Sequence, residues 1–243
     1  VYPVHDPELL PAALWLRHRT GRPVVYDVHE YLGDTVRTKR WLPTPLRRPM
    51  AGLAERAERA GALRVDGVVG VNEDLAARFA DAGQRTVSVT NAPWGSAYPA
   101  PPPTTDPVVL YVGGLGPQRG LPLMKEAWRH VTTPGARLVL AGPGEPGDLP
   151  DGVEWLGVVD HAEVAGLLAA AAVAWVPLQR HPNYAKAVPT KLVEAMASAR
   201  PVVASDFGRM AMMVRAAGCG LLVTPDDPAA HAAAIDALLD DPA

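Results

Sequence analysis

Cysteine is nearly missing from this 243-residue chain: Cys219 stands alone, which excludes an intramolecular disulfide and any cysteine-rich metal centre. Charge of one sign is lacking too. Lys and Arg number 23 against 26 Asp and Glu, a net charge of −3, so nucleic acid and anionic lipid find no global attraction and would need a local patch. Nucleic acid is therefore not an expected partner. No apolar run approaches the length of a membrane span and no signal peptide opens the sequence; the single cysteine suits a cytoplasmic protein. What remains is ordinary globular material, 48% hydrophobic and 20% charged, enough for one large or two modest domains. The chain opens at Val1 in Val-Tyr-Pro-Val-His-Asp-Pro, as though mid-domain; an incomplete chain is the expectation.

A run with six prolines between Ala92 and Pro107 has no apolar periodicity and reads as a stiff, extended connector over 93–107. Before it, over 1–92, strand-like Val24–Val28, Gly67–Val71 and Val87–Thr90 alternate with helical stretches near 7–19, 46–64 and 73–82. After it, over 108–243, strands are expected at 108–112, 137–141, 153–156, 173–176, 201–204 and 220–223. Helices are expected between them at 120–131, 161–171, 191–198, 208–216 and 228–239. Continuous apolar strands between helices imply an α/β class with two parallel sheets covered on both faces, and ligands beyond the strand C-termini.

The most informative stretch runs from Val188 to Asp206. Pro189 ends an extended piece, Thr190 is a suitable N-cap, and Lys191–Ser198 has helical composition before Arg200-Pro201 stops it. The first turn of such a helix attracts anions, and the Lys191 ammonium adds a point charge. Glu194, at i+4 from Thr190, shares that face and can accept from a ribose diol. A capped surface helix with a solvated Lys191–Glu194 pair is the competing reading. Val108–Val112 leads into Gly113-Gly-Leu-Gly-Pro-Gln-Arg-Gly120; Gly113 and Gly114 permit close approach to the backbone, and Arg119 can grip a diphosphate with its fork. An ordinary strand-to-helix turn with an exposed Arg stays open as well. The pattern Gly142-Pro-Gly-Glu-Pro-Gly147 is no dinucleotide fingerprint, because Pro143 and Pro146 remove donors and no helix follows.

In the first half, His5-Asp6-Pro7 precedes a helix and Asp27-Val-His29-Glu30 closes a strand. Both histidines can donate to a sugar hydroxyl or a developing charge, and Asp6 can instead cap the helix. As metal ligands, His5, Asp6, His29 and Glu30 fit no recognised set, so no metal is expected. Arg37–Arg48 carries five basic residues among Trp41, Leu42 and Leu46, a patch suited to an anionic membrane face or a lipid-linked acceptor. The commoner reading of such a run is a solvated basic loop, because two prolines interrupt any amphipathic helix. Asp226-Asp227 and Asp240-Asp241 read as caps or turn residues.

These ordered motifs together resemble the retaining nucleotide-sugar glycosyltransferases of family 4, the glycosyl transferases group 1, over essentially the whole chain. His5-Asp6-Pro7 is similar to the family's His-acid-Pro element, Tyr26–His29 to its next strand end, and Val89–Asn91 to the strand before the hinge. Gly113–Gly120 resembles its phosphate loop, Pro189–Ser205 its acidic helix, and Gly220–Val223 to Leu239–Pro242 the end of its second domain. The resemblance implies a GT-B fold of two Rossmann-like domains, the N-terminal one incomplete here, and metal-independent, cofactor-free transfer from a nucleoside diphosphate sugar to a glycan, lipid-linked or small-molecule acceptor. By it, Gly113, Gly114, Arg119, Thr190 and Lys191 hold the diphosphate, Glu194 the ribose, and His5 with Asp6 serve the catalytic step. His29, Tyr184 and Lys186 become candidate sugar or acceptor contacts.

Three departures stand out. Lys186 occupies the position of the family's usual second acid, eight residues before Glu194; Gly114 stands where an Arg is frequent; and the family's first strands and its terminal returning helix have no counterpart. A nucleotide-sugar-binding pseudoenzyme and a non-hydrolysing 2-epimerase are the alternative functions.

Overall fold

Short apolar runs become parallel strands wherever a helix separates them. The computed structural model describes residues 1–39, 41–93, 95–98, 104 and 106–240, and the chain divides into two units, Val1–Asn91 and Ala92–Ala243. Part of the basic run (Arg40), most of the proline-rich connector, and Asp241 with Pro242 lie outside the described residues.

In the first unit the order is β1 (Tyr2–Val4), α1 (Leu10–Thr20), β2 (Val24–Val28), α2 (Leu32–Thr38), α3 (Thr44–Ala62), β3 (Gly67–Gly70), α4 (Glu73–Ala80) and β4 (Thr86–Ser88). The strands form a four-stranded parallel sheet in sequential order, with Val4 opposite Tyr26 and Val28 opposite Gly70. Its core gathers Val24, Tyr26, Val28, Val68, Leu75 and Phe79. Asn72 caps α4 by accepting from Leu75 N–H. Helix is interrupted within the basic run, as expected: α2 ends at Thr38 and α3 starts at Thr44, two residues before the expected 46, with Pro43 as its N-cap and Pro45 in its first turn, where a proline's missing N–H costs nothing; Pro49 is carried within the helix.

The second unit contains β5 (Val108–Val112), α5 (Leu121–Trp128), β6 (Arg137–Ala141), β7 (Val153–Trp155), α6 (His161–Ala170), β8 (Val173–Val176), α7 (Pro182–Lys186), α8 (Thr190–Ala197), β9 (Val202–Ser205), α9 (Gly208–Ala217), β10 (Gly220–Val223) and α10 (Pro228–Asp240). The six-stranded parallel sheet has the order β10-β9-β8-β5-β6-β7. Strand order reverses between β5 and β8, the place at which sheets of this class bind ligands beyond the strand C-termini. Alternate residues serve opposite faces. Val108 and Leu110 of β5 join one apolar cluster with Leu192 and Met210, while Val109 and Tyr111 join another with Met124, Trp175 and Ile235. Burying each large aliphatic side chain of this kind stabilises by about 1.5–3 kcal/mol. α10 is tied back to the loop after α5, where Asp236 accepts from the N–H and hydroxyl groups of both Thr132 and Thr133 at 2.7–3.1 Å.

The expected connector is not wholly extended. Gly95–Ala97 makes one 3-10 turn, and Tyr98 is buried in the second unit's core; an aromatic ring gains more from that cluster than from solvent. α2 and α7 are helices of seven and five residues that no long apolar period announces, and α5 ends at Trp128, short of the expected 131.

Candidate functional site

The switch point of the second unit brings together the loop after β5 and the segment after β8. They touch where Gln179 N–H donates to Gln118 carbonyl oxygen at 3.1 Å, and where Gly120 leaves no room for a Cβ beside the Pro177 carbonyl. Gly120 has φ 91, and Gly113 has φ 133, backbone that side chains rarely tolerate. A Cβ on Gly113 would stand 2.6 Å from Lys191 Nζ. The Gly142–Gly147 loop lies against the same turn, with Leu115 N–H donating to Pro143 carbonyl oxygen at 2.8 Å. As expected, it leads toward β7 rather than into a helix.

α8 brings its first turn to this switch point, with Lys191 against Tyr111 and Gly113. The N-cap is Pro189 rather than the expected Thr190, and no side chain caps the helix. Proline fixes the extended approach but offers no side-chain acceptor, so Thr190 becomes the first helical residue and the helix start keeps its attraction for anions. Lys191 is buried; its ammonium sits 3.8 Å from the centre of the Tyr111 ring and has no hydrogen-bond partner among the described residues. Desolvation, followed by repulsion from Arg119, pushes its pKa down to about 7 against the pull of Glu194. The Arg119 guanidinium in turn lies 5.1 Å from the centre of the Tyr184 ring. Two cations thus converge on one crevice, each over an aromatic face.

Glu194 is buried one turn deeper on α8, with His161 Nδ1 at 4.0 Å from its carboxylate and the Tyr98 hydroxyl 3.5 Å from His161 Nε2. Burial, with the Glu194 charge second, raises the Tyr98 pKa. The structure therefore gathers Gly113, Gly114, Arg119, Tyr184, Lys191 and Glu194 around the switch point. Thr190 is exposed at the helix start, and Lys186 is the half-buried last residue of α7. Tyr98, Tyr111 and His161 escaped sequence reasoning. Tyr111 directly precedes the glycine loop, which was a usable signal; nothing local pointed to Tyr98.

In the first unit, His5 and His29 meet at the strand C-termini, Nδ1 to Nε2 at 3.4 Å, and Asp27 lies 3.2 Å from each. Asp6 and Glu30 line the same cavity of about 210 Å³ without joining the cluster. Asp27 was missed as a site residue, although residues i and i+2 at a strand end share a face. Beside the cavity, buried Glu58 accepts from the Tyr26 hydroxyl at 2.9 Å. An apolar groove of about 580 Å³ runs along α1, α2 and α3, lined in part by Leu10, Leu14, Leu32 and Val36. Of the expected basic patch, Arg37 pairs with Asp34 at 2.8 Å, Arg47 donates to the Leu42 carbonyl, Leu42 is buried and Trp41 is exposed. No helix among the described residues is long and apolar enough to cross a membrane.

The family profile of the glycosyl transferases group 1 matches residues 106–241. Glycogen synthase of Mycobacterium tuberculosis is 27% identical over 254 aligned residues, covering 98% of this chain and 60% of that protein. The chain thus spans about three-fifths of this curated relative's length. Among solved structures, sucrose-phosphate synthase of Thermosynechococcus elongatus superposes with a TM-score of 0.72 at 22% identity, over 99% of this chain and 64% of the other. Anabaena HepE, solved in complex with UDP, gives 0.70 at 20% identity, over 99% and 69%. The shared fold is of the GT-B class, each unit Rossmann-like and built on a parallel sheet.

Proposed function

The chain belongs to the glycosyl transferases group 1 family, and on that premise we propose that it moves a sugar from a nucleoside diphosphate sugar to an acceptor hydroxyl with retention of configuration. The observation that carries this is the buried Lys191 ammonium, without a hydrogen-bond partner among the described residues, at the uncapped start of α8 beside Arg119. A buried cation of this kind is costly until an anion arrives, and a diphosphate has the charge and the oxygens to satisfy it. The UDP bound by the Anabaena relative is consistent with that ligand class.

In this reading Arg119, Lys191, the backbone at Gly113 and Gly114 and the first N–H groups of α8, at Thr190, receive the leaving diphosphate. Their fixed positive charge stabilises it as the bond from the anomeric carbon to the phosphate oxygen breaks. No divalent cation is required at the diphosphate. The acceptor oxygen attacks from the same face, bonds to the anomeric carbon, and passes its proton to the departing phosphate oxygen. Glu194 accepts from the ribose hydroxyls, with Tyr98 and His161 fixing its place. Tyr184 and Lys186 are the proposed sugar contacts from α7.

The first unit is proposed to serve the acceptor through His5, Asp6 and His29, which line its cavity. A glycan or lipid-linked acceptor is favoured by the apolar groove beside them. Contact with the anionic inner face of a membrane is supported by Leu46, Met50 and Leu53, exposed at i, i+4 and i+7 of α3 together with Trp41 and with Arg48 and Arg56.

Calorimetric titration with UDP, GDP, ADP and dTDP, with and without a chelator, tests the donor site. Saturable binding of at least one, unaffected by chelator, is expected; binding of none overturns the proposal. Acceptor-dependent release of the nucleoside diphosphate then separates transfer from binding alone.

A further inference from the structure

The trio His5, Asp27 and His29 has a geometry that donor binding does not use. β1 and β2 are parallel neighbours whose register ends at Val4 opposite Tyr26. One residue further on, His5 leaves β1 beside Asp27. Asp27 and His29 are two apart at the end of β2 and point to the same side. His5 Nδ1, Asp27 Oδ2 and His29 Nε2 therefore meet at mutual distances of 3.2, 3.2 and 3.4 Å.

We propose that His5, Asp27 and His29 form a three-ligand site for a tetrahedrally coordinated divalent transition cation of the zinc class. A tetrahedron built on metal–ligand bonds of about 2.0–2.1 Å has edges of roughly 3.3–3.4 Å, and the three separations lie within about 0.2 Å of that. An octahedral magnesium site with bonds of about 2.0–2.1 Å has shorter edges, near 2.9 Å, and takes oxygen ligands. Calcium reaches edges of the observed length but also wants oxygen. Two imidazoles and one carboxylate select zinc, cobalt or a similar ion.

The surroundings agree with this assignment. Side-chain exposures of 58, 26 and 45% for His5, Asp27 and His29 leave one face of the trio toward the cavity, so a fourth ligand can come from water or from a substrate oxygen, as in open rather than closed zinc sites. Carboxylates of Asp6, Glu8 and Glu30 line that cavity against Lys39, a local excess of negative charge that attracts a cation. Glu30 is held there by the Thr35 hydroxyl at 2.9 Å. The cation would engage His5 itself, so saturating zinc is expected to suppress any transfer that needs this imidazole free. Binding stands or falls independently of transfer.

The full chain titrated with Co²⁺ reads out the site directly, because tetrahedral cobalt absorbs visible light far more strongly than octahedral cobalt. One equivalent should give the tetrahedral bands, and Zn²⁺ should abolish them by displacement, while Mg²⁺ should not. His29→Ala and Asp27→Asn should each weaken Co²⁺ binding by about 10-fold or more, on the scale of changes around metal centres. Lys191→Met should leave it unchanged. Circular dichroism confirms that each variant is folded, and His5→Ala provides a third variant at an exposed position. Octahedral bands only, or equal affinity in the folded ligand variants, would overturn the site.

Discussion

Lys191 Nζ stands 3.8 Å from the centre of the Tyr111 ring, buried and without a hydrogen-bond partner among the described residues. The aromatic face offsets part of the lost hydration, but no acceptor oxygen completes the ammonium's coordination. An anion that enters the crevice gains what the lysine lacks.

Removing either cation should therefore weaken nucleoside diphosphate binding. Arg119→Ala and Lys191→Met are each expected to cost on the order of 1.5–3 kcal/mol, the range of charged hydrogen bonds. Isothermal titration of the better-binding nucleotide checks both; unchanged affinity in the pair would rule out the diphosphate assignment. Glu194→Gln should weaken the nucleoside diphosphate while sparing inorganic pyrophosphate, and equal losses would argue against a ribose contact.

Affinity should also depend on pH with a definite sign. Lys191 in the free protein titrates near 7, so raising the pH above that leaves fewer chains with the charged ammonium the anion needs. The dissociation constant should climb by up to about tenfold per pH unit until the ligand-bound lysine itself begins to titrate. Binding should be accompanied by proton uptake, seen as a buffer-dependent heat. Lys191→Met should bind weakly with no such slope between pH 7 and 9. A parallel slope in that variant would place the titrating group elsewhere.

Two glycines should fail in different ways. At Gly113, φ 133, the backbone alone strains an alanine, and the added Cβ also meets the far end of Lys191; Gly113→Ala should displace the ammonium and reduce diphosphate affinity in addition to lowering stability. At Gly142, φ 140, the Cβ meets the Gly113 backbone, which cannot yield so easily. Gly142→Ala should lower the thermal stability of the second unit by about 1–3 kcal/mol. Denaturant melts monitored beside nucleotide titrations separate the two outcomes.

His231 makes stability acid-sensitive. Trp175 Nε1–H donates to its Nδ1 at 3.1 Å, so the neutral ring carries its proton on Nε2. Burial pushes its pKa down to about 4. Below its ordinary value near 6.5 the unfolded chain binds a proton that the folded chain refuses. Stability from this residue therefore falls as pH drops from about 6.5 to 4, at roughly 1.4 kcal/mol per unit, and levels off below. His231→Gln keeps an acceptor for Trp175 and should flatten that limb in urea titrations across the range; an identical slope would assign the effect to other groups.

On the acceptor side, Trp41→Ser combined with Leu53→Ser should reduce cosedimentation with phosphatidylserine vesicles while leaving nucleotide binding unchanged. Added salt should weaken the native chain's association if Arg48 and Arg56 contribute. Association of the double variant equal to that of the native chain would exclude this face.

Sequence alone determined the alternation of strands and helices, because short β-branched apolar runs such as Val108–Val112 and Val173–Val176, set between helical stretches, suit strands covered on both faces. It likewise marked Gly113–Gly120 and Thr190–Glu194, since glycine, a helix start and a lone cation carry their chemistry locally. Arg119 and Lys191 are 72 positions apart, and only the strand reversal between β5 and β8 brings their loops to one crevice. Tyr98 and His161 reach Glu194 by the same long-range packing. Asp27 joins His5 and His29 because β1 pairs in register with β2. Even the burial that moves Lys191 toward neutrality is set by neighbours such as Tyr111. Local patterns identify groups able to act; dielectric surroundings and distances between remote segments are properties of the folded chain, and they decide which groups act together.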